Sequence, residues 1–156
     1  MEMWRNMRRT DRQLPIEQVE NLLKQSDYGV LSVIGDNGYP YGVPVNYAYV
    51  DGKLYFHSTA HESHKLDAIR QNSRVCFTVV STHDIVLDAL STNYESVIVF
   101  GKARILEGSF EKAEAMSKMM SVLGRGTKYA TEYVCADSAY VMVEITPEHI
   151  SGKARK

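Results

Sequence analysis

The chain has 156 residues, of which 44% are hydrophobic and 24% charged, and its formal net charge is −1. This size and composition are typical of one soluble globular domain, which we expect to span residues 1–156. A nearly neutral chain has no overall basic field, so neither nucleic acid nor an anionic membrane is indicated as a partner. No apolar run suits a membrane span or a signal peptide, and the two distant cysteines favour a reducing cytoplasm.

The first half of the chain is predicted to contain one helix and three strands. The N-terminal stretch MEMWRNMRRTDRQ carries four arginines near the single tryptophan, and a helical pattern follows in LPIEQVENLLKQSDYG (14–29). Pro15 suits the first helical position, and the apolar face is formed by Ile16, Val19, Leu22 and Leu23. Strands are predicted at 28–34, 41–50 and 53–58, separated by the turn pairs Asn37-Gly38 and Asp51-Gly52. They form an antiparallel meander, with an irregularity or unpaired edge at Pro44.

The second half is predicted to alternate strands with two further helices. The segment 63–72 is typical of a short helix with Ser63 as its N-cap. Strands are expected at 74–82, at 94–106 with a bulge or bend at Gly101, and at 139–147, whereas 83–92 is expected to be a loop or an edge strand. A second amphipathic helix is predicted at 109–123, with one side lined by Phe110, Ala113, Met116, Met120 and Leu123. Residues 124–138 indicate a loop with one helical turn, and EHISGKARK (148–156) a basic tail.

This order of elements favours a mainly β fold with flanking helices. About six strands are linked mostly by hairpins, and there is no regular βαβ alternation that would indicate a parallel doubly wound sheet. Six antiparallel strands in a chain of this length favour a small closed barrel, because closure removes exposed sheet edges.

The segment FHSTAHESHK (56–65) holds three of the five histidines, His57, His61 and His64. A metal site is disfavoured, because His57 lies at a strand end and no cysteine or second histidine cluster completes a ligand set. The run from strand through polar loop to helix start is better suited to a phosphate or carboxylate, since a helix N-terminus offers free N–H groups. Possible donors to such an anion are Ser58, Thr59, Ser63, His64 and Lys65. A solvated helix start with a serine cap is an equally weighted alternative.

The strand at 39–50 contains four tyrosines and Asn46. Its alternation places Val43, Val45 and Tyr47 on one face, and an apolar wall beside an amide suits a planar ring with polar edges. The simpler alternative is that tyrosines are common in strands. The G-x-S-x-G, P-loop and H-E-x-x-H motifs do not occur, so any catalysis is expected to depend on a cofactor.

The chain resembles the pyridoxamine 5′-phosphate oxidase-like FMN-binding split-barrel superfamily, and it is most similar to the branch related to the 5-nitroimidazole resistance proteins. The matching segments are 7–14, 28–49, 53–69, 74–80, 94–106 and 150–155. The combination of MRRTDRQL, PYGVPVNY and FHS…HK carries this resemblance. It implies a six-stranded antiparallel split β-barrel that forms a homodimer, with FMN in a groove at the subunit interface. Two sites on the dimer, one on each side of the two-fold axis, would then be equivalent.

The resemblance also implies roles for individual residues. The family's strand beside the flavin ring corresponds by resemblance to four residues of this chain, Pro44, Val45, Asn46 and Tyr47. The ring edge and ribityl chain are expected near His57 and Ser58, and the phosphate at Ser63, His64 and Lys65. Ser96 and Val97 are expected to contribute from the facing side, from the other subunit. The family often has glycine before the His-Lys pair, so Ser63 is expected to be strained if that position needs φ > 0, and favourable if it is a helix cap.

The function implied by the resemblance is that of an FMN-dependent oxidoreductase acting on a small planar acceptor, such as a nitroaromatic of the 5-nitroimidazole type. His57 is the candidate catalytic residue, as a proton or hydrogen-bond donor to the reduced acceptor. A true pyridoxamine 5′-phosphate oxidase is less favoured, because the C-terminus lacks an Arg/His-rich segment. The same barrel is also compatible with a non-enzymatic flavin- or haem-binding module and with an F420-dependent enzyme.

Overall fold

The computed structural model describes residues 4–59, 62–132 and 139–156. Within these ranges the chain forms one antiparallel sheet of seven strands in the order β2-β1-β5-β6-β7-β4-β3. The strands are β1 (Tyr28–Ile34), β2 (Pro40–Asn46), β3 (Ala48–Val50), β4 (Lys53–Thr59), β5 (Arg74–Val86), β6 (Ser91–Leu106) and β7 (Tyr140–Arg155). The predicted class, mainly β with flanking helices and an antiparallel split barrel, is confirmed.

The helices fall between the strands and agree closely with the predicted positions. They are α1 (Ile16–Gln25), α2 (His64–Gln71), α3 (Ser109–Leu123) and α4 (Tyr129–Glu132), with short 3-10 helices at Thr10–Arg12 and Leu87–Ala89. The helical turn predicted within 124–138 is α4, and the rest of that prediction, 133–138, lies outside the described residues. None of the helices in the described ranges is both long and apolar enough to cross a membrane.

The predicted strand 41–50 is divided in two, which raises the strand count from six to seven. β2 pairs with β1 and β3 pairs with β4, so these consecutive strands occupy opposite edges of the sheet. Tyr47 lies between them, and its N–H donates to Asp27 O at 2.9 Å, one position beyond the last β1–β2 pair, Tyr28↔Asn46. The two edges of the sheet are therefore connected by the chain itself at Tyr47. The sequence had favoured a barrel closed by hydrogen bonds between its edge strands. Pro44 lies in an edge strand, as predicted.

The main core fills the inside of the curved sheet, between the helices α1 and α2. Tyr47 is fully buried there; its ring meets Phe77 edge-on at 4.9 Å and its hydroxyl donates to Leu23 O of α1 at 2.9 Å. α1 approaches β7 so closely that a Cβ at Gly152 would overlap Val19. Of the predicted α1 face, Val19, Leu22 and Leu23 are buried, but Ile16 is exposed because the helix first meets the sheet one turn later, at Val19.

α3 packs on the outer side of the barrel and forms a second core with β3, β4 and the adjoining parts of β6 and β7. Its buried residues are Ala115, Met116 and Met119. The predicted face was therefore correct at Met116, and at the partly buried Met120 and Leu123, but wrong at Phe110 and Ala113, which are exposed. The packed face of α3 is centred on the turn that contacts the sheet, and Phe110 precedes that turn.

The segment predicted as a loop or an edge strand (83–92) and the predicted basic tail (148–156) are both largely strand. Residues 83–86 and 91–93 extend β5 and β6 into a long hairpin that pairs from Val86↔Ser91 onward. The predicted basic tail is the second half of β7, paired with β6 as far as Tyr94↔Arg155, because its alternating residues fit the two faces of the sheet. The predicted irregularity at Gly101 is confirmed by a register shift there, where a Cβ would collide with Thr146 O.

Candidate functional site

The sheet opens where the β3–β4 pairing ends at Ala48↔Tyr55. Beyond that pair, β2 turns away to pair with β1, while β4 continues along β7. The two strands therefore form the two sides of an opening in the barrel. Pro44 to Asn46 lie on the β2 side of this opening and His57 and Ser58 on the β4 side.

On the β2 side, alternate residues face outward. Pro44 and Asn46 are exposed, whereas Val45 is half-buried and packs against the core. The Asn46 amide donates to Asp27 O at 3.2 Å, which fixes its orientation and leaves its oxygen as an acceptor. The Tyr47 side chain lies in the core, so only its backbone is positioned for a ligand at the opening.

On the β4 side, His57 is exposed and Ser58 is buried, as the alternation of a strand requires. His57 pairs with Met142 of β7, on the outer surface of the barrel. Its imidazole is therefore accessible to a ligand lying across the opening. His61 lies outside the described residues.

The N-terminus of α2 follows β4 at the same opening. Ser63 is the N-cap with φ −149°, an extended conformation that strains no residue. Its hydroxyl makes no capping bond; Oγ is buried and has no hydrogen-bond partner among the described residues. The strain considered for a serine at this position is therefore absent, but the expected capping bond is absent too. A buried hydroxyl without a partner is costly, and an anion at the helix start would satisfy it.

His64 and Lys65 form the first turn of α2. The His64 ring stacks on Tyr41 of β2 at 4.3 Å, and its Nε2 lies 3.6 Å from an Asp36 carboxylate oxygen. Lys65 is half-buried, and no ion pair is found for it within the described ranges. Free N–H groups of the helix start, the Ser63 hydroxyl and the Lys65 ammonium together form a donor set that suits a phosphate. The residues present therefore fit a phosphate group.

Ser96 and Val97 do not join this group within one chain. Ser96 pairs with Lys153, whereas His57 aligns through Met142 with Leu106, ten residues farther along β6. Ten residues of strand correspond to about 33 Å. The Val97 side chain is buried in the core, so only its backbone is exposed to a ligand.

The sequence did not identify an uncharged outer surface, which we call the uncharged face. It lies opposite the region covered by α3, and none of its residues is charged: Gly42, Pro44, Asn46, Tyr28, Val30, Ser32, Cys76, Thr78, Val80, Ser96, Ile98 and Phe100. A solvated face normally alternates with charged residues. The sequence feature that could have revealed this face is the continuous apolar run VIVF at 97–100. A strand with apolar residues on both of its faces is typically buried on both faces.

A second missed feature is a buried carboxylate, Glu144, on β7. It accepts hydrogen bonds from the Tyr55 hydroxyl at 3.1 Å and from Arg104 at 3.3 Å, and Lys53 lies 3.1 Å away. Burial alone would raise the pKa of Glu144, but its bonds to Lys53, Arg104 and Tyr55 lower it overall. Arg104 also reaches Glu111 at 2.6 Å, so this network attaches α3 to the barrel. No periodicity in the sequence brings these four elements together.

Solved structures share this fold. A candidate 5-nitroimidazole antibiotic resistance protein from Bacteroides thetaiotaomicron is 24% identical, with a TM-score of 0.72 over 90% of this chain and 85% of that one. An FAD-binding protein from Mesorhizobium loti is 28% identical, with a TM-score of 0.71 over 93% and 98%. The flavocytochrome Anf3 from Azotobacter vinelandii is 19% identical, with a TM-score of 0.80 over 97% and 72%.

No curated protein matches the chain. The model of one protein family, pyridoxamine 5′-phosphate oxidase, matches residues 15–154, which include the whole opening and all of its predicted ligand-binding residues. Flavin-binding proteins are among the structural neighbours of this fold. The chain therefore belongs to the pyridoxamine 5′-phosphate oxidase family.

Proposed function

We propose that the protein is an FMN-dependent oxidoreductase that binds the flavin at the opening between β2 and β4. The observation that carries this proposal is the N-terminus of α2, where the buried Ser63 hydroxyl, which has no partner in the described part of the chain, adjoins the half-buried Lys65. The phosphate of FMN supplies the acceptor oxygens that this donor set lacks. The ring then extends toward Pro44, Asn46 and His57.

The flavin-binding unit in this proposal is a homodimer. The uncharged face is the docking surface in this proposal, because it exposes the apolar side chains of Ile98 and Phe100 (38% exposure each) among residues that carry no charge, with Lys153 at its border beside Ser96. A second copy is the partner of matching chemistry, since an isologous contact pairs one apolar face with itself. Ser96 and the Val97 backbone then serve the site of the other subunit, which accounts for their distance from His57 in one chain.

The acceptor in this proposal is a small planar compound such as a nitroaromatic. Bound FMN, reduced by a two-electron donor from solution, would supply the two electrons and two protons that convert a nitro group into a nitroso group and water. The protein binds and orients the ring, excludes water through the partner subunit, and places the His57 imidazole where it can donate a proton to the acceptor.

The cofactor proposal is tested by comparing FMN with riboflavin, which lacks the phosphate. We expect the wild-type protein to take up FMN and show flavin absorbance. Lys65→Gln should weaken FMN binding about 10- to 100-fold and leave riboflavin binding unchanged, since charge-assisted hydrogen bonds contribute about 1.5–3 kcal/mol. Lys24→Gln, an exposed lysine on α1, is the matched control and should change neither affinity. A colourless protein that takes up no FMN, or a haem absorbance band, would contradict the proposal.

The role of His57 is tested separately in the FMN-loaded protein. His57→Ala should retain FMN and reoxidise its chemically reduced flavin more slowly with a nitroaromatic, by about 10²-fold, as expected for loss of a general acid. His83→Ala, an exposed histidine on the β5–β6 hairpin, is the control. Unchanged turnover in His57→Ala would remove His57 from the mechanism.

A further inference from the structure

A groove of about 640 Å³ lies between the N-terminal segment and the outer surface of β6 and β7. It begins at the border of the uncharged face, with which it shares Ser96, Ile98 and Phe100. Residues before α1 form its other wall, held by the bond from Leu14 N–H to Gly152 O at 3.0 Å. This groove is separate from the opening between β2 and β4 of the same chain.

One wall of the groove is a flat aromatic surface. Trp4 lies over two neighbouring rings, Phe100 at 5.3 Å with 21° between the planes and His149 at 5.1 Å with 14°. Phe100 and His149 are paired residues of β6 and β7, so the sheet fixes their positions. A planar aromatic ligand would add a further offset-stacked or edge-to-face ring to this group.

The charged residues of the groove are all cationic. Arg5 and Lys153 line it, and no acidic residue does so within the described parts of the chain. Arg12 lies beside Lys153 at the phenol of Tyr94; although burial alone would raise the pKa of Tyr94, hydrogen bonds from these two cations lower it. The Lys153 ammonium is 5.7 Å from the centre of the Tyr94 ring. A positive potential at this end of the groove favours an anion.

We propose that the groove is the acceptor pocket and that it selects a planar aromatic anion, with the ring on the Trp4 surface and the negative group at Arg5 and Lys153. The proposal rests on the proposed function in one respect, namely that the flavin beside the groove belongs to the second copy seated on the uncharged face. The substrate class then narrows from planar aromatics in general to aromatic carboxylates and comparable anions.

Binding is measured on flavin-free protein with 4-nitrobenzoate and its neutral analogue 4-nitrobenzamide. Trp4 is the only tryptophan, so its fluorescence, excited where tyrosine does not absorb, reports on this groove alone. We expect saturable quenching, with the carboxylate bound about fivefold more tightly than the amide, as a charge-assisted contact predicts. The difference should shrink at high salt. Calorimetry on the same pair of compounds excludes collisional quenching.

Two variants separate charge from stacking. Lys153→Gln should abolish the preference for the carboxylate and leave binding of the amide unchanged. Phe100→Leu should weaken the binding of both compounds by a similar factor, as measured by calorimetry. Lys156→Gln is the matched control, because Lys156 follows Lys153 by three residues, lies outside the groove and pairs with Glu95. Thermal unfolding of each variant identifies any that fail to fold.

In FMN-loaded protein with chemically reduced flavin, reoxidation by 4-nitrobenzoate should show a lower KM than reoxidation by the amide, and Lys153→Gln should remove that difference. Equal affinities for the two compounds, or quenching that does not saturate, would overturn the inference even if FMN binds. Saturable, carboxylate-selective quenching in a protein that takes up no FMN would support the groove as a binding site and refute the proposed function instead.

Discussion

The imidazole of His64 lies flat on the ring of Tyr41, with 4.3 Å between centroids and 19° between planes. Tyr41 belongs to β2 and His64 to α2, so this contact joins the two sides of the opening at its far end. The helix N-terminus is thereby held at a fixed distance from the strand expected to lie beside the flavin. Preorganised donors of this kind bind anions without the entropic cost of ordering a loop.

This contact predicts the effect of a methyl group at Gly35. A Cβ there would lie 2.7 Å from His64 Nε2, so Gly35→Ala should displace the imidazole and weaken FMN binding about tenfold, the loss of one charge-assisted bond. Gly108→Ala is the control, since its Cβ would meet nothing closer than 3.7 Å. Fluorescence titration of FMN measures both. Unchanged affinity in Gly35→Ala would show that His64 takes no part in holding the phosphate.

Ser63→Ala should have opposite effects in the free and flavin-bound protein. Without flavin, removing a buried hydroxyl that has no partner among the described residues should raise the free energy of unfolding by about 1 kcal/mol, although N-cap serine substitutions usually destabilise. With FMN, the same change should remove a donor to the phosphate and weaken binding about threefold to tenfold. Denaturant unfolding with and without FMN measures the two effects. Destabilisation of the flavin-free variant would show that the hydroxyl has a partner in solution.

Ser63→Gly addresses the glycine that the family often has at this position. Because φ is −149°, glycine gains no conformational advantage here, so Ser63→Gly should not strengthen FMN binding. Fluorescence titration of FMN against both proteins measures the difference. A tighter complex in Ser63→Gly would contradict the extended conformation.

The uncharged face predicts the oligomeric state. Ile98→Lys places a charge among its exposed apolar residues and should convert a dimer into a monomer in sedimentation experiments, with FMN affinity falling together with dimerisation. Phe110→Lys is the matched control, because Phe110 is also an exposed apolar residue but lies on α3. A wild-type protein that is monomeric at all concentrations would refute the shared site.

Glu144 predicts a specific acid sensitivity. Its pKa is lowered in the folded protein, so its stabilising effect is complete above the ordinary glutamate pKa of about 4.3 and is lost as the pH falls through the folded value. Glu144→Gln should therefore cost about 1–2 kcal/mol of unfolding free energy at neutral pH and much less in acid. Denaturant unfolding across this range measures the difference. Glu148→Gln, whose partner is the exposed Lys102, should show no such pH dependence.

The sequence predicted the strands, turns and helices well where the pattern is local. The Asn37-Gly38 and Asp51-Gly52 turns, the bulge at Gly101 and the helix beginning after Ser63 each depend on a few neighbouring residues. The division of one strand at Tyr47 was not predictable in this way, because Tyr47 is held by Asp27 and Leu23, twenty or more residues away. The local pattern there is still that of an uninterrupted strand.

Part of the candidate site could also be predicted from local sequence patterns. The segments at 44–47 and 57–65 lie on the two strands that diverge on either side of the β3–β4 hairpin, and their alternation indicated which side chains face outward. The groove at Trp4 and the Glu144 network depend on β6 and β7 meeting distant parts of the chain. The sequence showed that arginines lie near the single tryptophan, but it did not show where this segment packs on the barrel.

The opening also leaves both edges of the sheet without a neighbouring strand, which creates a risk of association between unrelated chains. Open edges attract further strands and lead to aggregation. Here β2 carries Pro40 and Pro44, which have no N–H to offer an incoming strand, and β3 is only three residues long. The protein can therefore keep its barrel open for a ligand and still resist fibril-like growth, and we expect Pro44 to be retained for solubility as well as for its place beside the flavin.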